Sequence, residues 1–329
     1  MSSLTIVIPT VNRLALLKKA LGSVLAQTVP VEIIVSDNGS SDGTETFLPS
    51  LDLPINVRRF RHEPMMTVQR HGAFLVSKVD TEWTVFLSDD DFLEPEFAAG
   101  VLELVQEMPQ LALVYTGCDM IFGDVALPAT VGPRFEDVPD FLYNFMAGKR
   151  NICMCATAYR TADLRTIGQL PDTILIGDMH YLRCILAKGG VVGCAQDHLS
   201  NYLAYRPSRT NQTNRMSVLA WATETKGFVQ SFTAIILADS QTRHDSRAVS
   251  RVARRFVSLT VSNHFAWNAL RGVGKLGLVK ASFRLAGLIL GSGKAVVRVA
   301  GVLLMPRPIL ERLVLVQARR QARAAGRRA

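Results

Sequence analysis

The first 36 residues alternate between two kinds of pattern that together allow few folds. Leu4–Pro9 is a short run rich in β-branched residues, Leu14–Gln27 is amphipathic, and Glu32–Ser36 is a second β-branched run. A strand, a helix and a strand within so short a segment predict a βαβ unit. Such a unit requires a parallel sheet with a helix packed against it.

The same alternation continues to about residue 120. Strands are predicted at Asn56–Phe60, Trp83–Leu87 and Leu111–Thr116, and helices at Thr67–Lys78 and Pro95–Met108. We therefore expect an α/β, Rossmann-like fold with a mostly parallel mixed sheet flanked by helices.

The pattern is less regular after residue 120. We predict strands near Cys153–Tyr159 and Val191–Cys194, a helix at Asp178–Lys188, and helices at about 216–240 and 246–270. This organisation suggests a catalytic domain at 1–212, whose halves are about 1–120 and 121–212, and a helical C-terminal region at 213–329.

The net charge of +9 is concentrated in the C-terminal quarter. Residues 1–242 contain 19 basic and 26 acidic side chains, whereas residues 243–329 contain 18 basic and 2 acidic ones. An acidic-leaning body with a basic end favours a catalytic or binding domain that attaches to something anionic.

The five cysteines are expected to be reduced, buried thiols. They form no CxxC pair, and Cys153 and Cys155 would lie on opposite faces of a strand, which is poor geometry for one metal ion. The N-terminal stretch lacks the pattern of a secretory signal peptide, so we expect a cytoplasmic protein.

Polar loops follow three of the predicted strands. They are Thr10–Arg13, Asp37–Gly43 and Ser88–Asp91, and the carboxyl ends of parallel strands are where such sheets bind ligands. No GxGxxG follows the first predicted strand and GxxxxGK[ST] does not occur, which disfavours the usual dinucleotide and P-loop cradles.

Three adjacent carboxylates in the third loop, Asp89, Asp90 and Asp91, suit a hard cation such as Mg²⁺ or Mn²⁺. The alternative is a solvated acidic turn in which Asp91 caps the next helix. Asp37 could accept hydrogen bonds from a base or sugar, or its loop could be plain turn chemistry.

Three ordered blocks resemble family 2 of the glycosyltransferases, which have the GT-A fold and use nucleotide diphosphate sugars. The blocks are IVIPTVNRLALLKKALGSVLAQT, VEIIVSDNGSSDGT and FLSDDDFLEP, and they span about 95 residues. The resemblance implies an enzyme that binds a nucleotide sugar together with Mg²⁺ or Mn²⁺.

The resemblance also implies roles for individual residues. Those implied to bind the nucleotide sugar are Pro9, Thr10, Asn12, Arg13, Asp37, Arg70, Asp89, Asp90 and Arg206. The residues implied to hold the metal are Asp91, as the direct ligand, and Asp89. His71 stands where the family often has Asn, and Ser208 stands where it often has His.

Asp178 matches the acid that serves as general base in inverting members of the family. Such a base takes the proton of an acceptor hydroxyl as that hydroxyl attacks the anomeric carbon. At a helix N-terminus we expect it to keep a low pKa. The alternative role of Asp178 is a helix N-cap.

The basic C-terminal segment is expected to form an interfacial helix over 278–304. Lys280, Arg284, Lys294 and Arg298 would share one face, and Leu285, Ile289, Val296, Ala300 and Leu303 the other. We expect peripheral attachment to an anionic membrane surface on the inner face of the plasma membrane. The alternative is packing against the catalytic domain, and nucleic acid is disfavoured because the tail lacks aromatic residues for stacking.

The leading hypothesis is a metal-dependent inverting glycosyltransferase that acts on a saccharide or lipid-linked acceptor in surface polysaccharide synthesis. The alternatives are a nucleotidyltransferase that uses the same site, or a non-catalytic carbohydrate-binding scaffold.

Overall fold

A computed structural model describes residues 3–122, 125–203, 218–239, 242–270, 285–290 and 292–304, with 282, 309, 316, 319 and 320 as isolated positions. The chain divides into two compact units. The first comprises Met1–Ile121, Pro128–Val138 and Asn151–Leu203, and the second comprises Phe122–Leu127, Pro139–Arg150 and Ala204–Ala329. The predicted domain boundary near residue 212 lies outside the described residues.

The secondary structure up to residue 203 alternates between strands and helices. The strands are β1 Leu4–Thr10, β2 Glu32–Asp37, β3 Val57–Arg61, β4 Trp83–Phe86, β5 Phe92–Leu93, β6 Leu113–Phe122, β7 Val125–Pro128, β8 Phe135–Asp137, β9 Thr157–Arg160 and β10 Val191–Leu203. The helices are α1 Leu14–Leu25, α2 Thr44–Ser50, α3 Val68–Lys78, α4 Phe97–Glu107, α5 Val138–Met146, α6 Thr161–Ile167 and α7 Gly177–Leu186.

The main path of the sheet runs in the order β3-β2-β1-β4-β9-β6-β10-β5. β1 is parallel to β2 and β4, and β2 is parallel to β3. β9 is antiparallel to both of its neighbours, and β10 is parallel to β6 but antiparallel to β5. The predicted mixed α/β sheet is confirmed, and its parallel part coincides with the first βαβ units.

The core lies between the sheet and its helices because side chains alternate along each buried strand. Ile6 and Ile8 of β1 belong to the same apolar cluster as Leu17 of α1 and Phe97 of α4. Val7 points to the opposite face of the sheet, on which α3 packs. Because β2, β1 and β4 are adjacent and parallel, the loops at their carboxyl ends lie at the same edge of the sheet.

Two predicted strands differ in extent from the structure. The segment predicted as a strand at Cys153–Tyr159 begins with a short 3₁₀ turn, Met154–Ala156, and the strand itself starts at Thr157. β10 continues to Leu203, well past the predicted end at Cys194, because it pairs with β6 over almost its whole length.

The second unit contains four further helices in its described residues: α8 Val218–Ala238, α9 Ser246–Leu270, α10 Ala286–Ile289 and α11 Gly293–Leu304. The first two agree with the predicted helices. α8, α10 and α11 all pack on α9. None of the helices in the described ranges combines the length and apolar character that crossing a bilayer requires.

The interfacial helix predicted over 278–304 differs from the structure in its described part. α10 ends at Ile289 and α11 begins at Gly293, so the described residues form two helices rather than one. The buried face of α11 holds Ala295, Val299 and Val302, whereas Val296 points outward. The predicted division into a basic face and an apolar face assumed one continuous helix. It failed because the interruption between α10 and α11 changes the rotational phase of α11. Lys280 and Arg284 lie outside the described residues.

Candidate functional site

Asp89 links the loop after β1 to the loop after β4. The Thr10 hydroxyl donates to Asp89 Oδ2 at 2.7 Å, and Arg13 Nη1 donates to Asp89 Oδ1 at 2.7 Å. The same Arg13 nitrogen lies 3.2 Å from Asp90 Oδ2. Asp89 is buried, and this burial raises its pKa even though Arg13 and Thr10 act in the opposite direction. The predicted contacts Thr10, Arg13, Asp89 and Asp90 therefore form one network.

Asn12 connects this network to the loop after β2. It adopts a left-handed backbone conformation with φ of 52°, which Asn tolerates better than most residues. Its backbone N–H donates to Ser40 Oγ at 2.8 Å, and its Oδ1 accepts from the N–H of Ser41 at 2.8 Å. Pro9 lies on β1 opposite Ser36 of β2. Both residues thus stand at the edge that the sequence predicted.

Asp37, the last residue of β2, is almost completely buried beside this loop. Its Oδ1 accepts a hydrogen bond from the N–H of Ser40 at 2.9 Å, and its Oδ2 forms an ion pair with Arg61. Arg61 is the register partner of Asp37 on β3, which sequence reasoning missed. The available signal was a basic residue at the end of the neighbouring strand.

Two histidines that the sequence did not predict as a pair contact Ser36, the residue directly before Asp37. His71 Nε2 lies 2.7 Å and His62 Nε2 lies 3.1 Å from the hydroxyl of Ser36. Burial, reinforced by the nearby His62, lowers the pKa of His71 to about 4. His71 is therefore neutral near pH 7 and joins α3 to β2.

Arg70 precedes His71 on the first turn of α3 and is exposed. Among the described contacts, none joins its side chain to the acids of the site. Arg206 lies outside the described residues. Neither arginine is therefore placed against the Asp89 network.

The charges of Asp91 and Asp178 both act on the thiol of Cys153. The pKa of Cys153 is raised first by its hydrogen bond to Cys118 and by burial, and then by the charges of Asp91 and Asp178. Asp91 is buried in a turn in which its N–H donates to the carbonyl of Ser88 at 3.0 Å. The two acids singled out from distant parts of the sequence thus share one neighbourhood.

Asp178 stands in the first turn of α7 and is half-buried. Its Oδ1 accepts from the N–H of Met179 at 2.9 Å. Desolvation nevertheless raises the pKa of Asp178 above its ordinary value, because it outweighs the backbone hydrogen bonds. The expectation of a low pKa at a helix N-terminus is wrong for this residue.

All five cysteines are free. Cys118, Cys155 and Cys194 are buried as predicted, whereas Cys153 and Cys184 are only half-buried. Cys153 and Cys155 both form hydrogen bonds with Cys118, because the 3₁₀ turn replaces the strand that would have put them on opposite faces. Within the described part of the chain, no three Cys, His, Asp or Glu side chains are arranged to hold a metal ion on their own.

Tyr202 is a further residue at this edge that the sequence did not reveal. It follows Asn201, which pairs with Phe92 directly after the acidic triplet. Burial and the charge of Asp91 raise the pKa of its phenol, although 42% of the residue remains exposed. Its place depends on the antiparallel pairing of β10 with the two-residue strand β5, which no sequence pattern indicates.

The family model described as Glycosyl transferase family 2 matches residues 5–159. Residues 5–159 therefore carry a glycosyltransferase family 2 domain, which makes up a little under half of the chain. The matched glycosyltransferase segment contains all three loops of the Asp89 and Asp37 networks, and it ends before Asp178.

Relatives and solved structures agree with this assignment. A PGL/p-HBAD biosynthesis glycosyltransferase from Mycobacterium bovis is 30% identical over 170 residues, which are 50% of this chain and 61% of that protein. This chain therefore spans less than two thirds of the length of the mycobacterial relative.

Two solved structures show the same fold. S. aureus TarS 1-349 in complex with UDP-GlcNAc superposes with a TM-score of 0.62 at 14% identity and covers 99% of this chain and 93% of its own. A mannosyltransferase from Pyrobaculum calidifontis in complex with GDP-Man and Mn²⁺ gives a TM-score of 0.53 at 16% identity, with 98% and 86% coverage. At these identities the likeness concerns the fold.

Proposed function

We propose that this protein is a metal-dependent, inverting glycosyltransferase that moves a sugar from a nucleotide diphosphate donor to a hydroxyl of a saccharide or lipid-linked acceptor. The observation that carries the proposal is the network of Thr10, Arg13 and Asp89, which fixes two loops beside Asp37 at the ligand-binding edge of the sheet. The family 2 domain and the sugar nucleotides bound by structural neighbours support it.

Asp37 is proposed to accept an N–H of the donor's base. Uracil, thymine and guanine each present such an N–H beside a carbonyl, so UDP, dTDP and GDP donors all suit a carboxylate. Pro9, Thr10, Asn12 and Arg13 would line the nucleotide. Arg70 and Arg206 would approach the diphosphate, since guanidinium groups pair well with phosphate oxygens.

The acids of the triplet fit Mg²⁺ or Mn²⁺, which prefer oxygen ligands. In nucleotide sites such ions are held by one or two carboxylates together with substrate phosphates, so a ready-made protein cage is not required. The resemblance to family 2 favours Asp91 as the ligand, and Asp89, which accepts hydrogen bonds from Thr10 and Arg13, would support it. When bound, the metal would stabilise the negative charge of the leaving diphosphate.

Asp178 is proposed as the general base. A raised pKa makes its carboxylate a stronger base than that of an ordinary Asp. Displacement by an acceptor whose proton goes to Asp178 forms the new glycosidic bond as the bond to the diphosphate breaks. A single displacement inverts the anomeric carbon.

We also propose that the enzyme works peripherally on the inner face of the plasma membrane in surface polysaccharide synthesis. The support is the basic C-terminal quarter, whose charge is opposite to that of anionic lipids.

The direct test incubates the protein with UDP-GlcNAc, UDP-glucose, GDP-mannose or dTDP-rhamnose, Mn²⁺ and a panel of saccharide acceptors. Release of the nucleoside diphosphate, lost in Asp178→Asn but not in Cys184→Ser, supports the proposal. Release of pyrophosphate would instead indicate a nucleotidyltransferase. Saccharide binding without any turnover, unchanged in Asp178→Asn, would indicate a binding scaffold.

A further inference from the structure

Helix α9 carries a row of exposed arginines in its first three turns. Arg247, Arg251, Arg254 and Arg255 are all exposed, and we name them the arginine face. At about 100° per residue, the first three fall within about 60° of one another around the helix axis. Val249, Ala253 and Val257 form the buried side of the same helix. The arginine face is thus a continuous surface of one helix.

Few negative charges compensate this surface. No ion pair in the described part of the chain joins these four arginines to a carboxylate. Asp245, the acid next to them in sequence, accepts the backbone N–H groups of Arg247 and Ala248 as a helix cap. Residues 243–329 contain only one other acid, Glu311. The arginine face therefore attracts anions at neutral pH.

The same side of α9 changes character one turn further on. Ser258 follows Arg254 by four residues, is completely buried, and donates to the carbonyl of Ile289 at 2.9 Å. Ser262, a further turn along, is also buried, and Arg298 of α11 contacts the adjacent Asn263. α10 and α11 therefore cover the continuation of the arginine face.

The covering helices α10 and α11 also expose apolar side chains. Leu290 directly follows Ile289 and is 70% exposed, and Val296 of α11 is 37% exposed. Lys294, between them, is exposed and basic. Exposed leucine and valine together with a row of cations are the combination that inserts into the boundary between headgroups and acyl chains.

We propose that the arginine face together with Leu290 is a contact surface for anionic lipid headgroups. The inference deepens the membrane-associated part of the proposed function and assigns it to α9, upstream of the 278–329 segment that the sequence suggested. Lipid is favoured over nucleic acid because the surface pairs cations with exposed aliphatic groups and offers no aromatic side chain for base stacking.

The test uses the full chain and vesicles of phosphatidylcholine with or without phosphatidylglycerol, sedimented together at low salt. We expect binding only to the anionic vesicles. Each arginine near such a surface contributes roughly fivefold to the partition coefficient, so Arg251→Gln/Arg254→Gln should lose about 25-fold. Leu290→Gln should weaken binding to the anionic vesicles at both low and high salt, since apolar insertion is not screened.

The matched control is Arg58→Gln/Lys226→Gln, which removes two positive charges from β3 and α8 instead of α9 and should bind as the wild type does. Equal loss in the control, unchanged binding in the arginine variant, or no binding of wild type to anionic vesicles would overturn the proposal. So would displacement from vesicles by stoichiometric duplex DNA, or a change of oligomeric state in the arginine variant by sedimentation velocity.

Nucleotide-induced thermal shifts of the same variants separate this proposal from the enzymatic one. If the thermal shifts persist while the wild type fails to bind lipid, only the proposed lipid-binding surface is wrong. If they are absent in every variant and in wild type while lipid binding holds, only the donor site is wrong.

Discussion

At the scale of single residues, Arg13 offsets the buried negative charge of Asp89. Its Nη1 lies 2.7 Å from Asp89 Oδ1, and both side chains are largely shielded from water. An ion pair in such a place contributes mainly by preventing an uncompensated charge, because both groups have lost hydration. The integrity of the proposed donor site therefore depends on Arg13 before any ligand binds.

We predict that Arg13→Gln lowers the free energy of unfolding by about 3 kcal/mol, since it leaves Asp89 buried without its cation. Urea unfolding at neutral pH measures this loss. Arg13→Gln/Asp89→Asn should recover part of it, because the double variant contains no buried charge at this position. If the double variant is less stable than the single one, the charge argument is wrong.

Asp178→Asn should lower kcat by on the order of 10²- to 10⁴-fold while nucleotide affinity stays unchanged, as expected for loss of a general base. The reason is that the amide keeps the bond from Met179 N–H but cannot take a proton. In the wild type, activity should fall on acidification because the ionised form of Asp178 is the working base. The fall should occur at a pH above the pKa of an ordinary Asp, because the pKa of Asp178 is raised. A pH profile of kcat/KM measures this limb.

The same pKa shift predicts an effect on stability. The folded chain binds the Asp178 proton more tightly than the unfolded chain does, so the free energy of unfolding falls as the pH rises through the interval between the two pKa values. Asp178→Asn should therefore be more stable than wild type at pH 7, and the difference should shrink towards about pH 4. If Asp178→Asn and the wild type have the same melting temperature at pH 7 and also at about pH 4, the inferred desolvation of Asp178 is wrong.

The sequence located the candidate site residues at one edge of the sheet but did not reveal their partners. Thr10, Asp37 and Asp89 could be singled out because each follows a strand that is readable as an apolar run. Arg61 and His71 could not, because their roles depend on strand register and on how α3 rotates against β2. The pKa of Asp178 was also mispredicted, since burial is a property of the packed fold.

At the scale of elements, β2 and α3 are joined by a polar contact rather than by apolar packing alone. His71 of α3 meets Ser36 of β2, one residue before Asp37. Burial favours the neutral imidazole, because a protonated ring at this position would lose the free energy of its hydration. The position of α3 is therefore sensitive to acid.

We predict that the free energy of unfolding declines as the pH falls from 6.5 towards about 4, because the unfolded chain binds a proton at His71 more readily than the folded chain does. The loss from this group is on the order of 3 kcal/mol. Urea unfolding at the two ends of the interval measures it. His71→Gln should lose less stability over the same interval, and an identical decline in both proteins would contradict the assignment.

Elements were predictable where the apolar period was uninterrupted. The first strands, α1, and α9 at Ser246–Leu270 agree closely with their predictions. The Cys153–Tyr159 segment failed because a 3₁₀ turn with apolar residues has the composition of a strand. The short strands β5 and β8 have too few residues for any period to be visible.

At the scale of the whole molecule, the chain separates its charges between two tasks. The unit that contains the sheet holds the acids proposed for donor, metal and base. The other unit holds the arginine face. The uneven charge along the sequence predicted this division, but the surface that bears the exposed arginines could be identified only from the packing of α10 and α11 on α9.

The measurement that tests the central claim most directly is a thermal shift of the full chain with UDP, GDP and dTDP, each with and without Mn²⁺. A ligand that binds the folded state at about 100 times its Kd adds about 2.7 kcal/mol of stability. We predict that at least one nucleotide raises Tm, more strongly with Mn²⁺, and that Asp91→Asn removes the Mn²⁺-dependent part. No shift with any of the three, or an identical shift in Asp91→Asn, would contradict a metal-assisted nucleotide sugar site.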